Sequence, residues 1–291
     1  MRRFFVHAIL TTVLVASLAL LALGFPVTVD DDRGSVITIE QFPERIVTVG
    51  ALYAEIISDL GGLDRLVAVA ETPDNPSAVS ELPSIGPTFA PSVEAILGVE
   101  PDLVLGATDW GGERPALEAA GVTVLTTPWL TSLATIFDTI RTLGIAIGAD
   151  AKAEALIGRI AADILDAEVA VLGAVQVPAA FLYASSPTDP PYTAGTGAIE
   201  HELILRAGGA NVFADVDGFP QVGFEEIIKR DPHVVFTAPS QIENVVGHPL
   251  LQQVTAVAEG RVIGIRAAEV ASTHVAGALR TMIDALHETA L

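Results

Sequence analysis

The sequence contains no cysteine. Disulfides, thiolate zinc sites and iron–sulfur clusters are therefore excluded, and so is a lipid-modified N-terminal cysteine. Lysine occurs only as Lys152 and Lys229, and 15 basic residues stand against 36 acidic ones, for a formal net charge of −21. A surface this negative repels phosphate backbones, so nucleic acid is not a partner. Aromatic residues make up only 5% of the chain, so any ligand cleft has few rings for stacking. The histidines never fall at H-x-H or H-x-x-x-H spacing, so no dedicated metal site is expected. No G-x-S-x-G, H-E-x-x-H, P-loop or complete G-x-G-x-x-G is present; Gly195-Thr196-Gly197 is only a fragment of the last. The adjacent acids Glu225 and Glu226 point to different faces of a helix and make no acid–base pair. An enzyme is not expected, and no cofactor is called for.

What is present begins with an apolar segment. Residues 1–27 carry Arg2 and Arg3 ahead of a hydrophobic run from Phe4 to Val27. This is the layout of a signal peptide or membrane anchor, with Arg2-Arg3 faintly like a twin-arginine signal. The basic flank stays cytoplasmic, which places the rest of the chain outside the cytoplasmic membrane, periplasmic or anchored to its outer face. Residues 28–34 read as a polar turn.

From Val36 onward short apolar strands alternate with helical stretches, the pattern of βαβ units and a mainly parallel sheet. The pattern changes over 149–174, a proline-free stretch rich in Ala, Glu, Leu and Ile at helical spacing. A helix of about 25 residues spans nearly 40 Å, long for one domain and suited to a strut between two. After Pro178 the strand–helix alternation resumes. The division is thus an export segment 1–27, an N-terminal lobe 28–148, a linking helix 149–174 and a C-terminal lobe 175–291. The fold class is α/β, two Rossmann-like lobes joined by a single long helix.

The halves echo one another. Ser92 to Val104 and Gly223 to Val235 each read as a small residue opening a short helix, a glutamate in its first turn, an acid–proline stop and then a strand. Glu94 and Glu225 occupy matching places. Two readings stay open: carboxylates favoured by the helix dipole, or a pair of acidic knobs displayed to a two-fold symmetric partner.

With these residues in hand, the chain resembles the substrate-binding proteins of ABC importers for cobalamin, haem and ferric siderophores, from about Asp31 to His287. The motifs are Phe42-Pro43-Glu44-Arg45-Ile46-Val47, Glu55-Ile56-Ile57, Val93-Glu94 through Pro101-Asp102-Leu103-Val104, the long helix, Ala207-Gly208-Gly209-Ala210-Asn211-Val212, and Phe219-Pro220-Gln221-Val222-Gly223-Phe224-Glu225. The resemblance implies a ligand cleft between two lobes, a rigid helical spine, and one glutamate per lobe docking on arginines of the permease. Here those are Glu94 and Glu225. It implies as partners a permease dimer with its ATPase subunits and a small-molecule ligand, with the binding protein itself a monomer.

For the ligand, Asp189-Pro190-Pro191-Tyr192-Thr193-Ala194-Gly195 looks like the corresponding loop of cobalamin binders, and Trp110-Gly111-Gly112 is similar to their Trp-containing loop. The expected ligand-facing residues are Tyr53, Phe89, Trp110, Tyr192, Phe219 and Arg266, with core packing the alternative for each ring. Cobalamin is the first expectation and a ferric siderophore or haem the alternative, with His274 and Tyr183 the candidates for haem ligation. A membrane-anchored sensor ectodomain is the rival of another class.

Overall fold

In the computed structural model the described residues are 24–107 and 112–287. The chain divides into two compact units, Met1–Trp129 with Asp138–Leu156, and Leu130–Phe137 with Ile157–Leu291. Residues 1–23, where an export segment is expected, and Trp110 lie outside the described residues.

The first unit opens with an antiparallel hairpin, β1 (Val27–Asp30) and β2 (Val36–Ile39). A strand therefore occupies part of the stretch expected to be a polar turn. Val29 buries its side chain, and Asp31 closes the turn by accepting the N–H groups of Arg33 (2.9 Å) and Ser35 (2.7 Å). The βαβ series follows: β3 (Ile46–Val49), α1 (Ala51–Asp59), β4 (Leu66–Glu71), β5 (Ser84–Pro87), α2 (Val93–Gly98), β6 (Leu103–Ala107), α3 (Arg114–Ala119) and β7 (Thr123–Thr127). The sheet is wholly parallel in the order β5-β4-β3-β6-β7. Every residue of β3 is buried, as parallel strands covered on both faces require. Val47, Val49, Ala68, Ile85, Ile96, Val104 and Leu117 share one core, each large aliphatic side chain stabilising by about 1.5–3 kcal/mol on burial.

Two helices carry the chain onward, α4 (Leu133–Ala146) and α5 (Asp150–Val169). At 20 residues α5 is the long helix the composition predicts, though it ends before position 174. Its last turn tightens through Ala170 N–H to Ala167 O (3.2 Å) and Val171 N–H to Glu168 O (3.1 Å), and Gly173 follows at φ 81°.

The second unit contains β8 (Val177–Tyr183), β9 (Tyr192–Thr193), α6 (Ile199–Arg206), β10 (Gly209–Asn211), α7 (Phe224–Arg230), β11 (Val234–Thr237), α8 (Ile242–Val246), α9 (Thr255–Ala258), β12 (Val262–Gly264), α10 (Ala267–Val270) and α11 (Val275–His287). Strands β10-β8-β11-β12 are parallel, and β9 adds antiparallel to β8. The α/β class with two parallel-sheet units agrees with the sequence reading. The internal echo is also structural. Glu100 and Asp231, each before a proline, adopt left-handed φ values of 47° and 44° where α2 and α7 stop. Proline disfavours the right-handed α region for the residue before it, so neither helix continues through these positions.

Candidate functional site

In open α/β sheets ligands meet the loops at strand carboxyl ends. In the first unit the loops after β5 and β7 carry Phe89 and Trp129. Their ring centroids lie 6.4 Å apart at 32°, and both rings stand out from the surface, 68% and 54% exposed. A turn closed by Ala90 N–H to Pro87 O (3.0 Å) and Ser92 N–H to Ile85 O (2.7 Å) presents Phe89. Exposed, touching rings keep an apolar face available to a flat partner. Trp129 is the residue that sequence reasoning missed. It follows Thr127-Pro128 at the end of a strand, and the carboxyl-end rule applied to the other loops would have found it.

Tyr53, expected among the ligand rings, is an interior residue at 3% exposure. Its hydroxyl and Thr127 Oγ1 share a 2.8 Å hydrogen bond, and burial pushes the phenol far above its usual pKa. It sits on α1 just after Gly50, where an added Cβ would meet its ring at 3.6 Å, so the β3–α1 turn packs directly on it.

In the second unit the loop before β9 and the loop before α7 zip together. Thr193 N–H donates to Pro220 O (3.0 Å), Val222 N–H to Pro191 O (2.9 Å), and Gln221 Nε2 to Pro190 O (2.8 Å). Gly195 is needed here, because a Cβ would lie 2.2 Å from Val216 O. The zipped loops hold Tyr192 and Phe219 half in solvent, 48% and 45% exposed. Phe219 stands edge-on to Tyr183, centroids 5.9 Å apart at 61°, and Tyr183 is paired across the ladder with Tyr192. The Tyr183 hydroxyl donates to Glu200 Oε1 at 2.5 Å. Burial raises the pKa of the Tyr183 phenol and of the Glu200 carboxyl, the latter despite the opposing Tyr183 hydrogen bond. Among the described residues Glu200 Oε2 has no hydrogen-bond partner. Tyr183 is thus a support beneath Phe219, with its hydroxyl engaged.

Arg266 caps α10 and directs its guanidinium onto Glu269 Oε1, through Nη2 at 2.7 Å and Nε at 3.0 Å. Its charge is shared with a neighbouring carboxylate and remains largely exposed.

Glu94 and Glu225 are both exposed in the first turns of α2 and α7. Among the described residues neither makes an ion pair, whereas the adjacent Glu226 is paired with Arg230 (2.8 Å) and Lys229 (3.6 Å). Ser92 caps α2 by accepting the Ala95 N–H at 3.1 Å. The two free carboxylates therefore occupy equivalent places in two similar units.

Comparison with known proteins agrees with this architecture. Residues 46–269 match the family described as periplasmic binding protein. The cobalamin-binding protein of Halobacterium salinarum (strain ATCC 29341 / DSM 671 / R1) is 29% identical over 290 residues, covering 93% of this chain and 76% of that one. The periplasmic heme-binding protein RhuT from Roseiflexus sp. RS-1 is 27% identical with a TM-score of 0.74, covering 83% of this chain and 98% of that one. An ABC-type Fe3+-hydroxamate transport system structure from Saccharomonospora viridis DSM 43017 is 26% identical with a TM-score of 0.77, covering 90% and 99%. The chain belongs to the periplasmic binding protein family, the substrate-binding proteins of ABC-type transport systems. Among the described residues no helix is long and apolar enough to cross a membrane.

Proposed function

We propose that this protein captures a metal-chelate nutrient, cobalamin, outside the cytoplasmic membrane and delivers it to an ABC permease. The observation that carries the reading is the pair of ring-bearing surfaces at strand carboxyl ends, Phe89 with Trp129 in one unit and Tyr192 with Phe219 in the other. A corrin ring offers wide apolar faces and polar edges, which suit exposed rings backed by loop carbonyls and N–H groups. It also brings its own metal coordination, so it asks for no protein metal ligand. Tyr183 and its engaged hydroxyl fit that requirement. The relative from Halobacterium, named for cobalamin binding and aligned over 93% of this chain, supports the same ligand.

No bond is made or broken in this mechanism. The rings and Arg266 grip the ligand, and Glu94 and Glu225 orient the loaded protein on the two-fold symmetric permease. Exposed ion pairs add less than about 1 kcal/mol each, so their service is orientation and encounter rate.

A second reading, haem or a ferric siderophore, is favoured by one observation: the Tyr192 phenol is exposed and free to meet a ferric centre. Equilibrium titration with cobalamin, haem and a ferric hydroxamate separates the readings. Saturable binding of cobalamin alone is the expected result; preferential haem binding that is lost in Tyr192→Phe gives the second.

A further inference from the structure

In the first unit the turn of the β1–β2 hairpin and one side of α4 border a cavity of about 260 Å3. The three consecutive carboxylates Asp30, Asp31 and Asp32 line it from the hairpin, Thr127 from the end of β7, and Asp138 and Thr139 from α4. All six belong to the same compact unit.

The charges on this wall do not cancel. Asp31 is paired with Arg114 and Asp138 with Arg141, both at 2.8 Å. Each arginine is shared with a second carboxylate, Arg114 with Glu118 at 2.6 Å and Arg141 with Glu154 at 2.7 Å. Among the described residues Asp30 makes no ion pair. Asp32 is fixed in place, since the Thr126 hydroxyl donates to its Oδ1 and its own N–H donates to Thr126 O at 3.1 Å. Thr139 supplies a separate indication. It is 2% exposed, and its hydroxyl has no hydrogen-bond partner among the described residues. Thr127 is as deeply buried, but its hydroxyl is engaged by Tyr53 at 2.8 Å. A buried hydroxyl in the wall of a polar cavity calls for a partner from whatever fills that cavity.

Size and donor set narrow the occupant. Among the described residues no three His, Cys, Asp or Glu side chains converge to ligate a metal directly, so the carboxylate cage that calcium favours is absent. A magnesium-type ion gives up its water reluctantly and is held with much of its shell intact. Six waters occupy about 180 Å3 at about 30 Å3 each, which this cavity accommodates with the ion.

We infer that the cavity is a site for a hydrated divalent cation of the magnesium type, its water shell held by the carboxylates of Asp30, Asp32 and Asp138 and by the Thr139 hydroxyl. A hard cation bound through oxygen needs neither histidine nor cysteine, so the histidine spacing that argued against a metal site does not bear on it. The ion binds the folded chain and ties the hairpin to α4, so it stabilises the first unit.

The test uses the full chain, freed of metal by chelation and followed by thermal unfolding in MgCl2, in hexaamminecobalt(III) chloride and in NaCl at matched ionic strength. Matching is needed because a chain of net charge −21 gains stability from screening by any salt. Magnesium should raise the melting temperature by a few degrees beyond NaCl. Hexaamminecobalt(III), which cannot shed its shell, should do the same. Thr139→Val keeps the side-chain shape without the hydroxyl, and Asp30→Asn keeps it without the charge. Each should remove most of the magnesium increment while leaving the melting temperature in NaCl unchanged or higher. Asp30 is exposed, so its variant keeps the test decisive should Thr139→Val fail to fold. No increment beyond NaCl, or the same increment in the wild type and the folded variants, overturns the site and leaves screening alone. An increment from magnesium with none from hexaamminecobalt(III) overturns the water-mediated contact.

Discussion

Asp31 and Arg114, 83 residues apart in sequence, form a buried ion pair with Oδ2 and Nη2 2.8 Å apart. Through it the tip of the β1–β2 hairpin is pinned to α3, while Arg114 Nη1 also donates to Thr126 Oγ1 of β7 at 2.8 Å. Burial opposes the Asp31 charge, but hydrogen bonds from the Ser35 N–H, Arg114 and the Arg33 N–H outweigh it and hold the carboxyl below its usual pKa. A carboxyl depressed in the folded state stabilises above its unfolded pKa, and that stability is lost as pH falls through the folded value. Asp31→Ala should therefore cost about 3 kcal/mol at neutral pH, with the loss shrinking in strong acid. Urea unfolding as a function of pH measures both; a pH-independent loss would show that the charge is not what matters.

The Glu200 carboxyl has the opposite sign. Its pKa is raised in the folded state by burial, so the folded protein holds a proton that the unfolded chain releases. Stability should fall as pH rises from the ordinary carboxylate range to the raised folded value. In Glu200→Gln that part of the pH slope should disappear, while Tyr183 keeps an acceptor. The check is the same unfolding series, and an unchanged slope would place the titration elsewhere.

The exposed rings should carry ligand affinity. Trp129→Ala and Phe219→Ala are each expected to weaken binding about tenfold, roughly 1.4 kcal/mol. Tyr53→Phe, which removes only an interior hydroxyl, should leave affinity unchanged and lower stability by about 1 kcal/mol. Isothermal titration and thermal unfolding separate the two effects.

Glu94 and Glu225 should matter only when the permease is present. Reversing both charges, Glu94→Lys with Glu225→Lys, is expected to abolish uptake in whole cells while the purified protein keeps its ligand affinity. A large loss of affinity in the double variant would instead tie these carboxylates to the ligand.

Much of the fold was legible because its signals are periodic. All-buried strands such as Ile46–Val49, acid–proline stops and the long Ala-rich helix each have a local cause, and they suffice for two α/β units. The paired positions of Glu94 and Glu225 were readable for the same reason. Side-chain direction was not. Tyr53 and Phe89 both stand near strand ends, yet one turns inward to Thr127 and the other outward to Trp129, and this depends on packing between residues far apart in sequence. Trp129 needed only the carboxyl-end rule. The pairing of Asp31 with Arg114 needed three dimensions.

The proposed ligand is a cobalt corrin held on exposed rings without a protein metal ligand. Equilibrium titration of the purified chain with cobalamin tests it most directly. Saturable one-to-one binding, weakened about tenfold in Trp129→Ala and in Phe219→Ala, is the predicted result. No measurable cobalamin binding by a folded protein that binds haem or a ferric hydroxamate would contradict it.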